Sequence, residues 1–283
     1  MVAVVLGARG NVGRHVVDGL LAAGERVRAV NRTQVAASGP GSETAVADLD
    51  RPETLPAVFD GADKVFLYGM LDPQRPYDIE KVVAAATAAG IRQAVLLSSV
   101  SVLDPDADHP VPRLNRTIEH AVQRSGMDWT FLRPGTFATN TRTWWAESIR
   151  TDNVVRLPRP LAQSAPVHEK DLAALAVTAL TEPGHTHQAY TVHGAESLTL
   201  RRQVEHIGEA IGRAIRIEHV SDEEARADIA RTMSPIVAGA IVGQWAAADG
   251  VPVTTSAVVE KITGGPAHTY AQWAADHADD FRG

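Results

Sequence analysis

Apolar residues fall in short unbroken runs, each followed by a stretch with apolar positions three and four apart, and this alternation repeats through the first half of the chain. The runs predict strands at Val2–Leu6, Val27–Val30, Glu43–Val46, Lys64–Tyr68, Ala94–Leu97 and Trp129–Leu132. Helical spacing, as in Val12, Val16, Val17, Leu20 and Leu21, predicts helices over 12–23, 52–60, 74–89 and 111–125. Arg51-Pro52 and Asp72-Pro73 read as turns that open helices. Strands alternating with helices make an α/β fold, a doubly wound parallel Rossmann sheet. After Arg133-Pro134-Gly135 the rhythm changes, and Pro158, Pro160 and Pro166 cut the chain into short pieces. Helices are expected at 169–180, 199–212, 222–231 and 235–247, with a strand at Arg216–Val220. These make a smaller, mostly helical C-terminal lobe. The expected division is 1–150 for the Rossmann domain and 151–283 for a substrate-binding lobe, with elements of 151–195 free to return to the Rossmann core.

The junction of the first strand and helix carries chemistry. Gly7, Gly10 and Gly13 stand three apart in Gly7-Ala-Arg-Gly-Asn-Val-Gly13. Gly7 suits a sharp turn, Gly10 a close approach of backbone to phosphate, and Gly13 the packing of helix on strand. Arg9, Asn11 and Val12 complete the loop. A helix N-terminus facing such a loop suits a pyrophosphate, so the chain is expected to bind a dinucleotide. The second strand ends at Asn31-Arg32-Thr33. An acid that would hold both ribose hydroxyls of NAD is missing there. Arg32, with Arg9 in the loop, suits a 2′-phosphate through paired hydrogen bonds. NADP(H) is therefore expected in preference to NAD(H).

Composition narrows the class. The chain has 283 residues, 45% hydrophobic and 22% charged, with a formal net charge of −7. No Lys/Arg cluster marks a nucleic-acid surface, so no nucleic-acid partner is expected. The absence of cysteine excludes disulfides, thiolate metal sites and cysteine catalysis. No apolar run approaches the ~20 residues that span a bilayer, and no signal peptide precedes the first strand, so a cytoplasmic location without membrane attachment is expected. The 11 histidines show no metal-ligand spacing, His185-Thr-His187 included, and no metal is expected.

Along nearly its whole length the sequence resembles the NmrA-like branch of the atypical short-chain dehydrogenase/reductases. The resemblance rests on the glycine loop, on Ala47-Asp-Leu-Asp50, and on Phe59-Asp-Gly-Ala-Asp-Lys-Val-Phe-Leu67. Further along it rests on Leu97-Ser98-Ser99, Ser125-Gly126, Leu132-Arg133-Pro134-Gly135, Val167-His168, Asp171-Leu172-Ala173 and Ile262-Thr263-Gly264. The resemblance implies that Asp48 bonds the adenine amino group and Leu49 packs on the ring. Tyr68 and Gly69 would line the cofactor, Ser98 and Ser99 would sit near the nicotinamide ribose, and Pro134 with Gly135 would shape the backbone at the carboxamide.

The pattern also breaks. Typical members of the superfamily use a Tyr-x-x-x-Lys pair, in which tyrosine donates a proton and lysine binds ribose. Many NmrA-like proteins keep the lysine four residues before a helix glutamate. Glu119 matches that glutamate, but Asn115 stands where lysine would, and the tyrosine position falls near Val111. Asn115 can bond a ribose hydroxyl but brings no charge. Ser99 and His168 are the replacement candidates for catalysis, with Tyr68, Ser101, Asp108 and His109 as further groups. Trp144-Trp145 and the apolar run Pro235–Trp245 suit either core packing or the substrate site.

Three functions are compatible with these features. The first is an NADP(H)-dependent oxidoreductase passing hydride to a small carbonyl, quinone-like or imine substrate. The second is a non-catalytic NADP(H) redox sensor with a protein partner. The third is a non-redox enzyme on the same fold. The substrate and the oligomeric state are not legible in the sequence.

Overall fold

The computed structural model describes residues 1–34, 36–37, 39–68, 78–107 and 110–283. The strands are β1 (Val2–Leu6), β2 (Arg26–Asn31), β3 (Ser42–Val46), β4 (Lys64–Tyr68), β5 (Gln93–Leu97), β6 (Asp128–Pro134), β7 (Val154–Leu157), β8 (Gln163–Ser164), β9 (Gln188–Val192), β10 (Leu198–Thr199) and β11 (Arg216–His219). The helices are α1 (Gly13–Ala22), α2 (Leu55–Phe59), α3 (Ile79–Ala88), α4 (Pro110–Arg124), α5 (Asn140–Asp152), α6 (Glu169–Thr181), α7 (Leu200–Ile211), α8 (Asp222–Ile229), α9 (Pro235–Ala247), α10 (Val258–Thr263), α11 (Tyr270–Asp276) and α12 (Ala278–Phe281).

Chain contacts divide the protein into two compact units. The first holds Met1–Pro134, Glu169–Val192 and Val258–Gly265; the second holds Gly135–His168, His193–Ala257 and Pro266–Gly283. In the first unit, seven strands form one sheet in the order β3-β2-β1-β4-β5-β6-β9, with every pair parallel. This is the expected doubly wound Rossmann arrangement, and its order reverses between β1 and β4. Central strands of such a sheet are buried on both faces, which is why β1 and β4 are nearly continuous apolar runs. On one face α2, α3 and α4 set Leu55, Phe59, Val82 and Ile118 against Val4, Leu6, Val65 and Phe131. On the other, α1 packs against α6, and α6 against α10.

The predicted helix over 52–60 is a 3-10 turn, Pro52–Thr54, followed by α2. Pro56 lies inside α2, so the amide that would have continued a longer hydrogen-bond ladder is missing there. Residues 74–77 of the predicted third helix lie outside the described residues. Strand β9 and helices α5, α10, α11 and α12 were not expected from the apolar pattern.

The second unit is mostly helical. Its short strands pair as β8 with β10 and β7 with β11. Helices α5, α7, α8, α9 and α11 enclose a core of Trp145, Ile149, Val204, Ile207, Val242, Trp245 and Trp273. Trp145 is buried in that core, and Trp144 lies edge-on to Trp145 and Trp245, at 6.2 and 5.5 Å between ring centroids. Helix α9 buries Ala238, Val242 and Trp245 while Ile236 is exposed.

Candidate functional site

Gly7 ends β1 with φ +67°, a conformation that costs an L side chain about 1–2 kcal/mol. Three N–H groups of the loop are then used internally. Ala8 donates to the Val30 carbonyl at 3.2 Å, Arg9 to the Asn31 Oδ1 at 3.0 Å and Gly10 to the Gly7 carbonyl at 2.8 Å. These bonds tie the loop to the end of β2. A Cβ on Gly13 would lie 2.2 Å from the Gly7 oxygen, so only glycine lets the helix start this close to the turn. Among the described residues, the N–H groups of Val12 and Gly13 have no backbone acceptor. Helix α1 has no side-chain cap and no acid in its first turn. Its positive end is therefore left for an external anion.

A cavity of about 650 Å³ opens beside this loop. It is lined by Gly7, Arg9 and Gly10, by Asn31 and Arg32 beyond β2, by Asp48 and Leu49 beyond β3, and by Tyr68 at the end of β4. The sequence placed all eight in one cofactor site, and the fold gathers them around one cavity. Leu6, Val30, Thr33 and Ala47 line it too. These were missed because three are apolar strand-end residues, which sequence alone reads as core. Among the described residues neither Arg9 nor Arg32 has an ion-pair partner, and both are exposed. The Asn31 Nδ2 is buried without a hydrogen-bond partner, while its Oδ1 holds the loop. The backbone N–H of Asp48 is held by the Thr54 hydroxyl at 3.1 Å, and its carboxylate lies 3.9 Å from Arg51. The Tyr68 ring comes within 3.2 Å of where a Gly7 Cβ would be; the residue is 41% exposed, and partial desolvation of its phenol raises the pKa above the ordinary value.

A second group forms at the carboxyl ends of β5 and β6. The hydroxyl of Ser98 donates to Glu119 Oε1 at 2.6 Å. Arg133 grips the same carboxylate with two bonds, Nε to Oε1 at 2.9 Å and Nη2 to Oε2 at 2.6 Å. Ser98 and Glu119 are buried. Ser98 also donates its backbone N–H to the Leu132 carbonyl at 2.8 Å, which joins the two strand ends. Asn115, one turn before Glu119 on α4, spends its amide on the Val111 carbonyl at 2.9 Å. Ser99 caps the following 3-10 turn: its hydroxyl accepts the Ser101 N–H at 3.2 Å and lies 2.9 Å from the Ser101 hydroxyl. Pro134 is the buried last residue of β6. Sequence reasoning noted Glu119 and Arg133 only as motif positions; the bond between them needed the packing of α4 against β6 to be seen.

His168 belongs to the second unit. It is 1% exposed, 3.4 Å from the Asp276 carboxylate, with its ring 4.7 Å from that of His268. Gly69, Asp108 and His109 lie outside the described residues. Among the described residues no group of His, Asp and Glu side chains is arranged to hold a metal.

Residues 7–183 match the family model described as NAD(P)H-binding. The chain belongs to the NAD(P)H-binding family. A reductase of (4-alkanoyl-5-oxo-2,5-dihydrofuran-3-yl)methyl phosphate from Streptomyces griseus subsp. griseus is 38% identical over 280 residues, which cover 98% of each protein. An NAD(P)H azoreductase from Xenophilus azovorans is 33% identical over 285 residues, again covering 98% of each. Triphenylmethane reductase from Citrobacter sp., solved with NADP(H), has the same fold: TM-score 0.75, 21% identity, 98% of this chain and 99% of that one. An NmrA variant also shares it, with TM-score 0.76, 16% identity, and 99% and 96% coverage. The resemblance read from the sequence is thus borne out in the NAD(P)H-binding family and in a fold shared with NmrA. The glycine loop, uncapped helix and cavity fit a dinucleotide of this family: the Gly13 position has no room for a Cβ, and among the described residues α1 has no side-chain cap at its N-terminus. No helix among the described residues is long and apolar enough to cross a membrane.

Proposed function

We propose that this protein is an NADP(H)-dependent reductase of a small conjugated or carbonyl-type acceptor, with quinone-like and imine compounds in the same class. The observation that carries this is the pair of guanidiniums, Arg9 and Arg32, which have no ion-pair partner among the described residues, on a cavity whose β2 end offers Asn31 in place of an acid. In this reading the amide groups at Val12 and Gly13 hold the pyrophosphate. Arg9 and Arg32 hold the 2′-phosphate, Asp48 and Leu49 the adenine, and Tyr68 the wall beyond. Ser98, Asn115 and Pro134 serve the nicotinamide half. Bound NADPH supplies the hydride. The first unit is then the cofactor domain, and the second supplies the substrate pocket. Two relatives that match nearly the whole chain, at 38% and 33% identity, are named as reductases, and this supports the reaction class.

Ser99 and His168 are the residues assigned to proton handling. The Ser99 hydroxyl oxygen accepts from the Ser101 N–H, and with the Ser101 hydroxyl as donor in their 2.9 Å contact the Ser99 proton can be turned toward an acceptor. His168, 3.4 Å from the Asp276 carboxylate, is the imidazole of the two. A quinone-type acceptor can also take its proton from water.

The test is calorimetric titration of the protein and of Arg32→Ala with NADPH, NADP+, NADH and NAD+. Loss of a charge-assisted phosphate contact is worth about 1.5–3 kcal/mol. NADPH should therefore bind about 10- to 100-fold more weakly to the variant, with NADH unchanged. Turnover follows from NADPH oxidation with quinone, enone and azo acceptors. Equal affinity for all four nucleotides removes the NADP preference, and no binding removes the reductase. One observation favours a second reading. Asn115 brings no charge where the family's lysine would stand, and one of its amide N–H groups goes to the Val111 carbonyl; a redox sensor would bind NADPH and NADP+ with different affinity and turn over none of these acceptors.

A further inference from the structure

The Ser98–Glu119–Arg133 cluster has a direction, and the direction restricts what Ser98 can do. A serine hydroxyl has one proton and two lone pairs. In Ser98 that proton points at Glu119 Oε1, 2.6 Å away. The carboxylate cannot turn to release it, because Arg133 holds both oxygens in a fork at 2.9 and 2.6 Å. Such a bidentate pair fixes geometry as well as charge. Arg133 is fixed in turn by its position as the second-last residue of β6. Its side chain is 19% exposed and that of Glu119 is 6% exposed, so water competes little for these bonds. Ser98 therefore faces any ligand as an acceptor alone.

We propose that Glu119 and Arg133 are positioning residues that lock the Ser98 hydroxyl as a hydrogen-bond acceptor for the nicotinamide half of the cofactor. The proposal rests on the reductase reading above. The sheet reverses its order between β1 and β4, and a dinucleotide lies across such a reversal. With the adenosine half in the cavity at β1, β2 and β3, the other half extends over β4, β5 and β6, where Ser98 directly follows β5. The groups there able to donate to a locked acceptor are a ribose hydroxyl and the carboxamide N–H. Ser98 is thereby excluded as the proton donor, and that role falls to its neighbour Ser99.

Glu119→Ala separates this from a purely structural role. It removes the acceptor that takes the Ser98 proton, so the hydroxyl is no longer held as an acceptor and can turn to donate. The probes are NADPH and adenosine 2′,5′-bisphosphate, which has the adenosine half alone. The expected result is NADPH bound about tenfold more weakly, the loss of one good hydrogen bond, with adenosine 2′,5′-bisphosphate unchanged. Ser98→Ala, which leaves the Glu119–Arg133 pair intact, should give the same split. The double variant should lose no more than either single one, because both remove the same contact. Unchanged NADPH affinity in Glu119→Ala overturns the proposal, as do fully additive losses or equal weakening of both probes. A fall in Tm without the split between probes assigns the cluster to stability alone and also overturns it. Should the unaltered protein bind adenosine 2′,5′-bisphosphate but not NADPH, the reductase reading itself falls, and with it this inference.

Discussion

The three loop glycines do different jobs, and the jobs can be separated one residue at a time. A Cβ at Gly13 would collide with backbone, 2.2 Å from the Gly7 oxygen, so the turn or the helix start must move. A Cβ at Gly10 meets the same oxygen at 3.1 Å, which a shift of a few tenths of an ångström relieves. Gly13→Ala is expected to cost about 1–3 kcal/mol of stability, as overpacking does, and to abolish NADPH binding. Gly10→Ala should keep Tm close to the unaltered protein and still weaken NADPH, because its methyl group occupies the approach to the phosphates. Thermal melts with and without NADPH read both effects, and equal Tm losses in the two variants would show that the glycines share a single structural role. At this scale much of the candidate site was legible in the sequence. A glycine triplet and the residues after β2 and β3 are set by local geometry, and eight of the expected residues line one cavity. The direction of the Ser98 bond was not legible, because it depends on a carboxylate on α4 and a guanidinium on β6.

Helices and strands follow the apolar period wherever one face must be buried. Lys64–Tyr68 is both the predicted and the observed β4, and α6 and α9 lie within a residue of expectation. Helix α5 was missed because its sequence, Asn140–Asp152, is polar at most positions and its buried residues are few: Thr141, Trp145, Ala146 and Ile149. Strand β9 was missed for a related reason. It is an edge strand, with Gln188 and Ala189 exposed, so it carries no apolar run. Gly19 shows the opposite case, a weak local signal with a packing cause. Glycine in a helix interior costs roughly 0.5–1 kcal/mol relative to alanine. Here a Cβ would stand 2.8 Å from Val177 Cγ2, where α1 crosses α6. The β-branched Val177 has little rotamer freedom to yield. Gly19→Val should therefore destabilise the protein by about 1–3 kcal/mol despite its better local propensity. Pairing it with Val177→Ala should restore much of the loss. Denaturant titration of the single and double variants decides this, and the absence of any rescue would place the strain elsewhere.

The molecule as a whole carries a pH dependence that its two units share. His15 in the first unit has its pKa lowered, chiefly by burial and then by the charge of Arg14, with Glu169 opposing. His193 in the second unit is lowered by burial. Both take up protons less readily folded than unfolded, where the ordinary value is 6.5. The unfolded chain thus binds more protons below that value, and linkage makes stability fall as pH drops through it. Above it both rings are neutral in either state and contribute no pH slope. Carboxylates act lower on the scale. Asp63, through the Val2 N–H, Asp222, through Arg159, and Glu224, through the Ser221 N–H, are held below ordinary values of 3.8, 3.8 and 4.5. Their stabilisation is present above those values and is lost as pH falls through the still lower folded ones. The two sets are therefore separable. Between about pH 7.5 and 5.5 the decline in Tm should come from the histidines, and His15→Gln with His193→Gln together should flatten that limb while leaving the steeper acid limb in place. Melts across this range test it. An unchanged slope in the double variant would mean that neither imidazole resists protonation in the folded protein, and that the neutral-pH limb has another source.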